Sequence, residues 1–368
     1  MNQSKHSEKN LSDREFLFAY PSIIIGVSVL SLPRDVAKVT SYSDGWVSLL
    51  AAGIIATLLA ILALRVALHF PNQPFIDYAT HLVTRPLAIL ISLSYVVIAI
   101  IICGYVIRSV AYIAQLFLFD RTPLAVLALT FLLVVVYAVS GSRVGIFRLN
   151  ILFLPIILFV LLLVGIFNIP LIDHRNYLPL FTTNVGGYFK GMFTSSSAFI
   201  GVGIALFYTF LVKQNKNLTK QVTIGVNIAT IFYIYIFLIT IGVFSNTVTS
   251  NLMFPTLELA KRVELPGSIF ERIDAVVYTI WIMAIFNTVT LFLDSTVLIL
   301  TSIFNKTKKQ TLLFIISPII IIIALLPREI DQINKLMDFT IYMTMILTPS
   351  VIIIFYVLTK IKGANIND

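Results

Sequence analysis

Ten long apolar stretches, each about as long as a bilayer crossing, constrain this chain more than any other feature of its sequence. A helix rises about 1.5 Å per residue, so about 20 apolar residues cross the hydrocarbon core. Apolar residues make up 58% of the 368 residues and charged residues 12%, against roughly 45–50% and 25% in soluble domains. We therefore expect an all-α polytopic membrane protein whose spans occupy roughly residues 15–33, 46–68, 87–118, 123–140, 147–168, 187–212, 221–243, 274–303, 311–326 and 337–359.

The stretches divide into five and five around a polar linker. We expect one transmembrane domain over 1–368, with a first repeat at 1–168, an outer linker at 169–186 and a second repeat at 187–368. An odd number of spans per repeat makes the second repeat enter from the opposite side, which predicts inverted repeats and a binding site near the bilayer midplane. Lysine-rich loops place both chain termini inside.

Two matching stretches carry glycine and another small residue two positions apart. Gly26 and Ser28 lie in the first stretch, and Gly201 and Gly203 lie in the sixth. Glycine is unfavourable in the interior of a helix. Unwound backbone at membrane depth is tolerated where it lines a protected cavity. This pattern predicts that helices 1 and 6 are broken, with Gly26 and Gly201 facing each other. The alternative, that the small residues serve close helix packing, stays open.

A break of this kind suits a zwitterionic ligand. Half-helix N-termini favour a carboxylate, whereas half-helix C-termini and free carbonyls favour an ammonium group. An amino acid carries both groups, so we expect an amino acid to fit between the two breaks.

Two charged side chains, Arg108 and Asp294, lie far from either end of an apolar stretch. Arg108 shares one face of the third stretch with Tyr105, and it either serves function, as intramembrane charges commonly do, or braces an outer loop or unwound carbonyls. Asp294 lies about 15 Å deeper, so we expect no ion pair between them. Asp294 either carries a proton or cation, or bonds to Ser295 or Thr296 near the inner water boundary; we favour the second interpretation.

The segment 254–273 is the most highly charged part of the predicted outer side. Pro255 suits the first turn of a short helix. That helix either covers a cavity mouth or lies in solvent. We expect Glu271 and Arg272 to act in folding and gating rather than in ligand contact, with Glu258 as the partner of Arg272.

The remaining composition argues against an enzyme. The four histidines are scattered, Cys103 is the single cysteine, and no nucleophile–base or metal-ligand spacing is present. We expect no catalytic residues, no metal and no cofactor. Membrane topology explains the net charge of +9 better than nucleic-acid binding does.

Short motifs along nearly the whole chain carry a family resemblance. They lie at residues 26–34, 44–46, 120–123, 254–256 and 269–274. Together they resemble the B subunits of spore germination receptors, which belong to the amino acid–polyamine–organocation transporter superfamily. Many members have Gly-x-Gly in the first break, whereas this chain has Ser28 at the second position.

The resemblance implies a ten-helix fold of the five-plus-five inverted-repeat type. It also implies a nutrient sensor in the inner membrane of a bacterial spore, which is the forespore cell membrane. Its partners would be an A subunit with membrane segments and a C subunit anchored as a lipoprotein, and its ligand would be a germinant, commonly an amino acid. A proton- or sodium-coupled amino acid permease remains the alternative.

Both functions predict the same central site. We expect ligand contacts from Ile25, Gly26, Val27, Ser28, Tyr105, Ser197, Phe199, Ile200, Gly201, Gly203, Trp281 and Asn287. We expect gating or structural roles for Arg108, Glu258, Glu271, Arg272 and Asp294.

Overall fold

The computed structural model describes residues 11–212, 217–263, 273–304, 307–327 and 330–363. These residues form helices, and the described part contains no β-strand beyond an isolated bridge between Leu11 and Val212. The α-helices are α1 (Asp13–Ser28), α2 (Leu32–Ala37), α3 (Gly45–His69), α4 (Phe75–Leu82), α5 (Arg85–Phe117), α6 (Leu124–Ser140), α7 (Arg143–Asn168), α8 (Val185–Ser196), α9 (Ala205–Tyr208), α10 (Leu218–Asn251), α11 (Pro255–Lys261), α12 (Ile273–Ile303), α13 (Lys309–Leu325) and α14 (Ile330–Gly363).

The helices coincide with the ten predicted spans. Within the described residues, seven helices are long and apolar enough to cross a membrane, and α6 and α13 are shorter apolar helices. The interrupted first span, α1 with α2, completes the set. The all-α polytopic fold is therefore confirmed, whereas the division into repeats at 1–168 and 187–368 stays a prediction.

α1 occupies the centre of the bundle. It packs against α7, α10, α12 and the 3₁₀ segment Ser197–Ile204. A capping box starts the helix: Glu15 N–H donates to Ser12 Oγ at 3.4 Å, and Ser12 N–H donates to Glu15 Oε2 at 2.7 Å. The element that we expected to be broken is thus surrounded by other helices.

The first span ends earlier than its apolar length suggests. We expected it to run to about residue 33 and to end at a proline, but α1 ends at Ser28. Pro33 instead lies at the start of α2, where a helix does not need the missing N–H. The short helix α4 was not expected either; Lys362 of α14 caps its end by donating to Leu82 O at 2.8 Å.

The linker between the halves is fixed to the start of α3, and we call its side of the bundle the outer side. The buried Asp44 carboxylate accepts backbone N–H bonds from Phe181 at 2.7 Å and Thr183 at 2.8 Å. Burial raises the pKa of Asp44, but the hydrogen bonds from Thr183 and Phe181 outweigh it, so the pKa lies below its ordinary value.

Replacing Asp44 with asparagine should lower the free energy of unfolding by about 1–3 kcal/mol, because a neutral amide replaces a carboxylate that accepts two backbone hydrogen bonds. Since folding lowers the pKa of Asp44, its stabilisation is present above the unfolded value of about 3.9 and is lost as the pH falls through the folded value. Thermal unfolding of the solubilised protein at neutral and acidic pH measures both effects.

The matched control is Asp173→Asn in the same linker. Asp173 is exposed and accepts from Arg175 N–H at 2.9 Å, so this change should cost little. Equal losses from the two variants would contradict the role assigned to Asp44.

Candidate functional site

A cavity of about 570 Å³ lies in the middle of the bundle and reaches the outer side. This volume falls within the range of small-molecule sites, about 300–1,000 Å³. Ser28, Ser197, Ile200 and Trp281 line its inner part, and Lys38 lies at its outer rim. The walls come from the α1–α2 break, α5, the sixth span, α12 and α14.

Side chains from other helices satisfy the carbonyls around the α1 break. Tyr233 Oη donates to Ile24 O at 2.6 Å, Trp281 Nε1 to Gly26 O at 3.1 Å, and Thr256 Oγ1 to Val29 O at 2.7 Å. Buried carbonyls without partners are costly, and these three donors remove that cost. We had expected such carbonyls to point into the cavity, but these three are occupied by the protein itself.

The sixth span is interrupted without being unwound. α8 gives way to the 3₁₀ segment Ser197–Ile204, within which Phe199 has non-helical angles of φ −101° and ψ 25°. A 3₁₀ stretch is tighter than an α-helix, and a mid-helix stretch often marks a hinge or strain. The expected discontinuity is present at the expected place, in a milder form than a break.

The two key glycines serve packing rather than facing each other. A Cβ at Gly26 would meet Thr288 Oγ1 and the Ala284 carbonyl of α12, whereas a Cβ at Gly201 would meet the Ile23 side chain of α1. The expectation that Gly26 faces Gly201 is therefore wrong. At these positions the small residues allow close helix approach, which was the alternative interpretation.

Five of the expected ligand residues line the cavity: Ser28, Tyr105, Ser197, Ile200 and Trp281. Ile25, Gly26, Phe199, Gly201, Gly203 and Asn287 are buried outside its lining. Phe199, for example, packs edge-on against Tyr233, with ring centroids 5.8 Å apart. The side chain of Val27 lies outside the described part of the structure. Ligand contact by the five lining residues stays a prediction.

Arg108 lies on the cavity wall with Tyr105 and Tyr112, so the face of the third span that carries Tyr105 and Arg108 points inward. Its Nη1 donates to the Ala324 carbonyl at 3.5 Å, in the last turn of α13. As expected, its partner is not Asp294.

Asp294 belongs to a separate cluster towards the inner side and is 1% exposed. Arg143 Nε lies 3.2 Å from its Oδ2, Lys309 Nζ lies 3.4 Å from its Oδ1, and Tyr208 Oη donates to Oδ2 at 2.9 Å. The interpretation that we favoured for Asp294 is therefore wrong. Ser295 and Thr296 instead bond to the Phe292 carbonyl.

Sequence reasoning missed the cations of this cluster because it counted both as loop charges. A signal did exist: Arg143 and Lys309 lie only four and two residues before the predicted spans at 147–168 and 311–326. A buried acid needs a cation within reach, and two helix starts on the same side as Asp294 supply them.

The outer helix α11 packs into the bundle. Thr256, Leu257 and Ala260 are buried, so the solvent-exposed alternative is wrong, and Phe254 beside the helix lines the cavity. Glu258 pairs with Lys261 at 2.7 Å. Glu271 and Arg272 lie outside the described residues, so their expected gating role and the Glu258–Arg272 pair stay predictions.

Gly26→Ala should lower the free energy of unfolding by about 1–3 kcal/mol, because the new methyl group meets a rigid carbonyl of α12. Gly186→Ala is the matched control, since the nearest atom to its Cβ would be 3.7 Å away. Thermal unfolding and protein level in the membrane fraction measure the difference. A tolerated Gly26→Ala would contradict the packing role.

Asp294→Asn should destabilise the protein by about 3–5 kcal/mol, because it removes a buried charge and leaves the buried cation Arg143 without its carboxylate partner. Asp35→Asn provides the control: its pair with Arg34, at 2.8 Å, leaves the side chains 27% and 33% exposed, and exposed pairs contribute about 0–1 kcal/mol. Chemical or thermal unfolding should rank the variants in this order; the reverse order would sink the assignment.

Several known proteins are similar to this chain in sequence. A family described as "Spore germination protein" matches residues 10–333. Spore germination protein GerLB of Bacillus cereus is 37% identical over 99% of each chain. Spore germination protein YndE of Bacillus subtilis is 26% identical over 92% of this chain and 93% of its own.

Solved transporters share the fold at low identity. MhsT in complex with L-phenylalanine superposes with a TM-score of 0.70 at 15% identity, covering 92% of this chain and 87% of its own. Mhp1, a nucleobase–cation symport-1 family transporter, reaches a TM-score of 0.66 at 14% identity over 91% and 75%. The fold is therefore that of membrane transporters, and by its sequence the chain belongs to the spore germination protein family.

Proposed function

We propose that this chain is the germinant-sensing subunit of a spore germination receptor. It binds a small germinant, an amino acid, in the central cavity and signals to partner subunits. The observation that carries the proposal is the cavity itself, about 570 Å³ in volume and placed where the interrupted first and sixth spans meet. Ligand sites of this fold type lie at such interruptions.

The lining supports an amino acid as the ligand. Ser28 and Ser197 supply hydroxyl groups, while Trp281, Tyr105 and Ile200 supply apolar surface. A mostly apolar pocket with a few polar groups holds and orients a small ligand. MhsT, which has the same fold, was solved in complex with L-phenylalanine; this analogy supports the ligand class.

Signalling requires that the ligand favour one of two conformations. In the conformation described, the inner ends of two spans are in contact: Leu11 N–H donates to Leu211 O at 3.2 Å, joining the start of α1 to the end of the sixth span. Arg148 also lies 3.4 Å from Glu15 of α1. A ligand at the α1 break therefore contacts an element that also reaches the inner side.

Family membership supports the receptor and its partners. We propose assembly with an A subunit that has membrane segments and with a lipoprotein C subunit, in the inner membrane of the spore. The transporter fold favours a second candidate, a proton- or sodium-coupled amino acid permease.

Ile200→Trp should abolish the response to amino acids at unchanged protein level, because the indole ring occupies the cavity. Ile231→Trp is the control, since Ile231 is 66% exposed on α10. Spores carrying each variant with its partner subunits are exposed to a panel of amino acids, and the fall in optical density is recorded alongside immunoblots. A normal response from Ile200→Trp would refute binding in this cavity.

Vesicles containing only this chain distinguish the two candidates. The receptor predicts binding of labelled amino acid without accumulation, whereas the permease predicts accumulation that a proton or sodium gradient drives. Accumulation that Ile200→Trp blocks would replace the receptor proposal with the permease.

A further inference from the structure

Charged side chains are concentrated in the outer half of the cavity. Arg34, Lys38 and Arg108 line it together with Asp35 and Asp338. Arg34 Nε lies 2.8 Å from Asp35 Oδ1, and Arg34 Nη1 donates to Met253 O at 3.2 Å. Arg34 and Asp35 are therefore already paired with groups of the protein. Lys38 is exposed at the rim, which leaves Arg108 as the half-buried cation of the wall.

Arg108 has most of its hydrogen-bonding capacity left. A guanidinium carries five N–H donors in a rigid fork, and Arg108 uses Nη1 in one long contact of 3.5 Å with Ala324 O. Among the described residues, no carboxylate forms an ion pair with it. A cation placed this way within a membrane span is costly unless water or an anion solvates it.

The α1 break, at residues 28–32, carries no cationic side chain that could serve as an equivalent anion site. Its carbonyls are acceptors, which repel a carboxylate, and α2 is only six residues long, too short to build a substantial helix dipole. Ser28 and Ser197 are neutral. The group on the cavity wall best matched to a carboxylate is therefore the guanidinium of Arg108, because its fork donates two parallel bonds to one carboxylate.

We propose that Arg108 binds a carboxylate of the germinant and so sets ligand specificity. The inference rests on the proposed function, since it concerns the same cavity. The carboxylate has two sources, the α-carboxylate of any amino acid or the side-chain carboxylate of an acidic one. In this proposal Arg108 contacts the ligand rather than only bracing the helices, and its bond to Ala324 O orients the guanidinium.

The test compares ligand pairs that differ only in a carboxylate. The full-length protein in lipid nanodiscs is titrated with L-alanine, L-alaninamide, L-glutamate and L-glutamine, and apparent affinity is read from thermal stabilisation. The variants are Arg108→Gln, which keeps a polar N–H donor and loses the charge and the fork, and Arg108→Lys, which keeps the charge and loses the fork. Lys38→Gln removes a cation from the same cavity at its exposed rim and serves as the control.

Arg108→Gln should reduce the preference for the carboxylate over its amide by at least about tenfold, because it removes a charge-assisted pair of bonds. The unliganded melting temperature should change little. A reduced preference for L-alanine over L-alaninamide identifies the α-carboxylate; a reduced preference confined to L-glutamate over L-glutamine identifies the side chain. The preference of Arg108→Lys for the carboxylate over its amide should lie between those of the wild type and Arg108→Gln. If Arg108→Gln fails to fold, Arg108→Lys is used for the test instead.

Other outcomes overturn the proposal. Carboxylate binding by Arg108 is contradicted by any of three outcomes: unchanged preferences in Arg108→Gln, equal losses for acid and amide, or the same loss in Lys38→Gln. If wild-type protein binds none of the four probes, the proposed amino acid sensor fails as well. Binding that Arg108→Gln leaves unchanged overturns the Arg108 assignment alone.

Discussion

The satisfaction of backbone polar groups inside an apolar bundle is the constraint on which the rest of this structure depends. Ending α1 at Ser28, within the bundle, is tolerable only if its carbonyls find donors. Tyr233 and Trp281 reach them from α10 and α12, and Thr256 does so from the outer helix α11. Hydrogen bonds to the carbonyls of the break therefore tie α10, α11 and α12 to α1. The cavity lies beside this break.

The charged cluster around Asp294 at the inner end of the molecule is more deeply buried than the charged side chains around the cavity at the outer end. Towards the inner side, Asp294 is almost fully buried and is held by Arg143, Lys309 and Tyr208. Around the cavity, the paired side chains of Arg34 and Asp35 stay partly exposed, and Arg108 makes one long contact of 3.5 Å. A buried cluster is costly to separate, whereas a half-exposed cation can exchange water for a ligand at small cost. The inner end thus suits closure and the outer end suits recognition.

The sequence predicted the spans well and the site only in part. Apolar length and membrane thickness are sufficient to locate the spans, because a bilayer leaves few alternatives. The small residues located both interruptions, but not what faces them: Gly26 and Gly201 pack against Thr288 and Ile23. Contacts between distant elements, such as Thr256 with Val29, leave no periodic signal. They depend on how whole helices pack, which no local pattern encodes.

Both ends of α1 are tied to other elements, and in the proposed sensor this helix connects ligand recognition to closure of the inner end. Its outer end carries the break, where Trp281 joins Gly26 to the cavity wall. Just before its inner end, Leu11 pairs with Leu211 at the end of the sixth span, and Glu15 meets Arg148 of α7. A ligand that displaces the break by even a small amount must strain one of these contacts, since packed interiors transmit strain rather than absorb it. In the proposed sensor, ligand binding and the state of the inner end are linked through a single helix, and the differential affinity of the ligand for the two states limits how far it shifts that equilibrium.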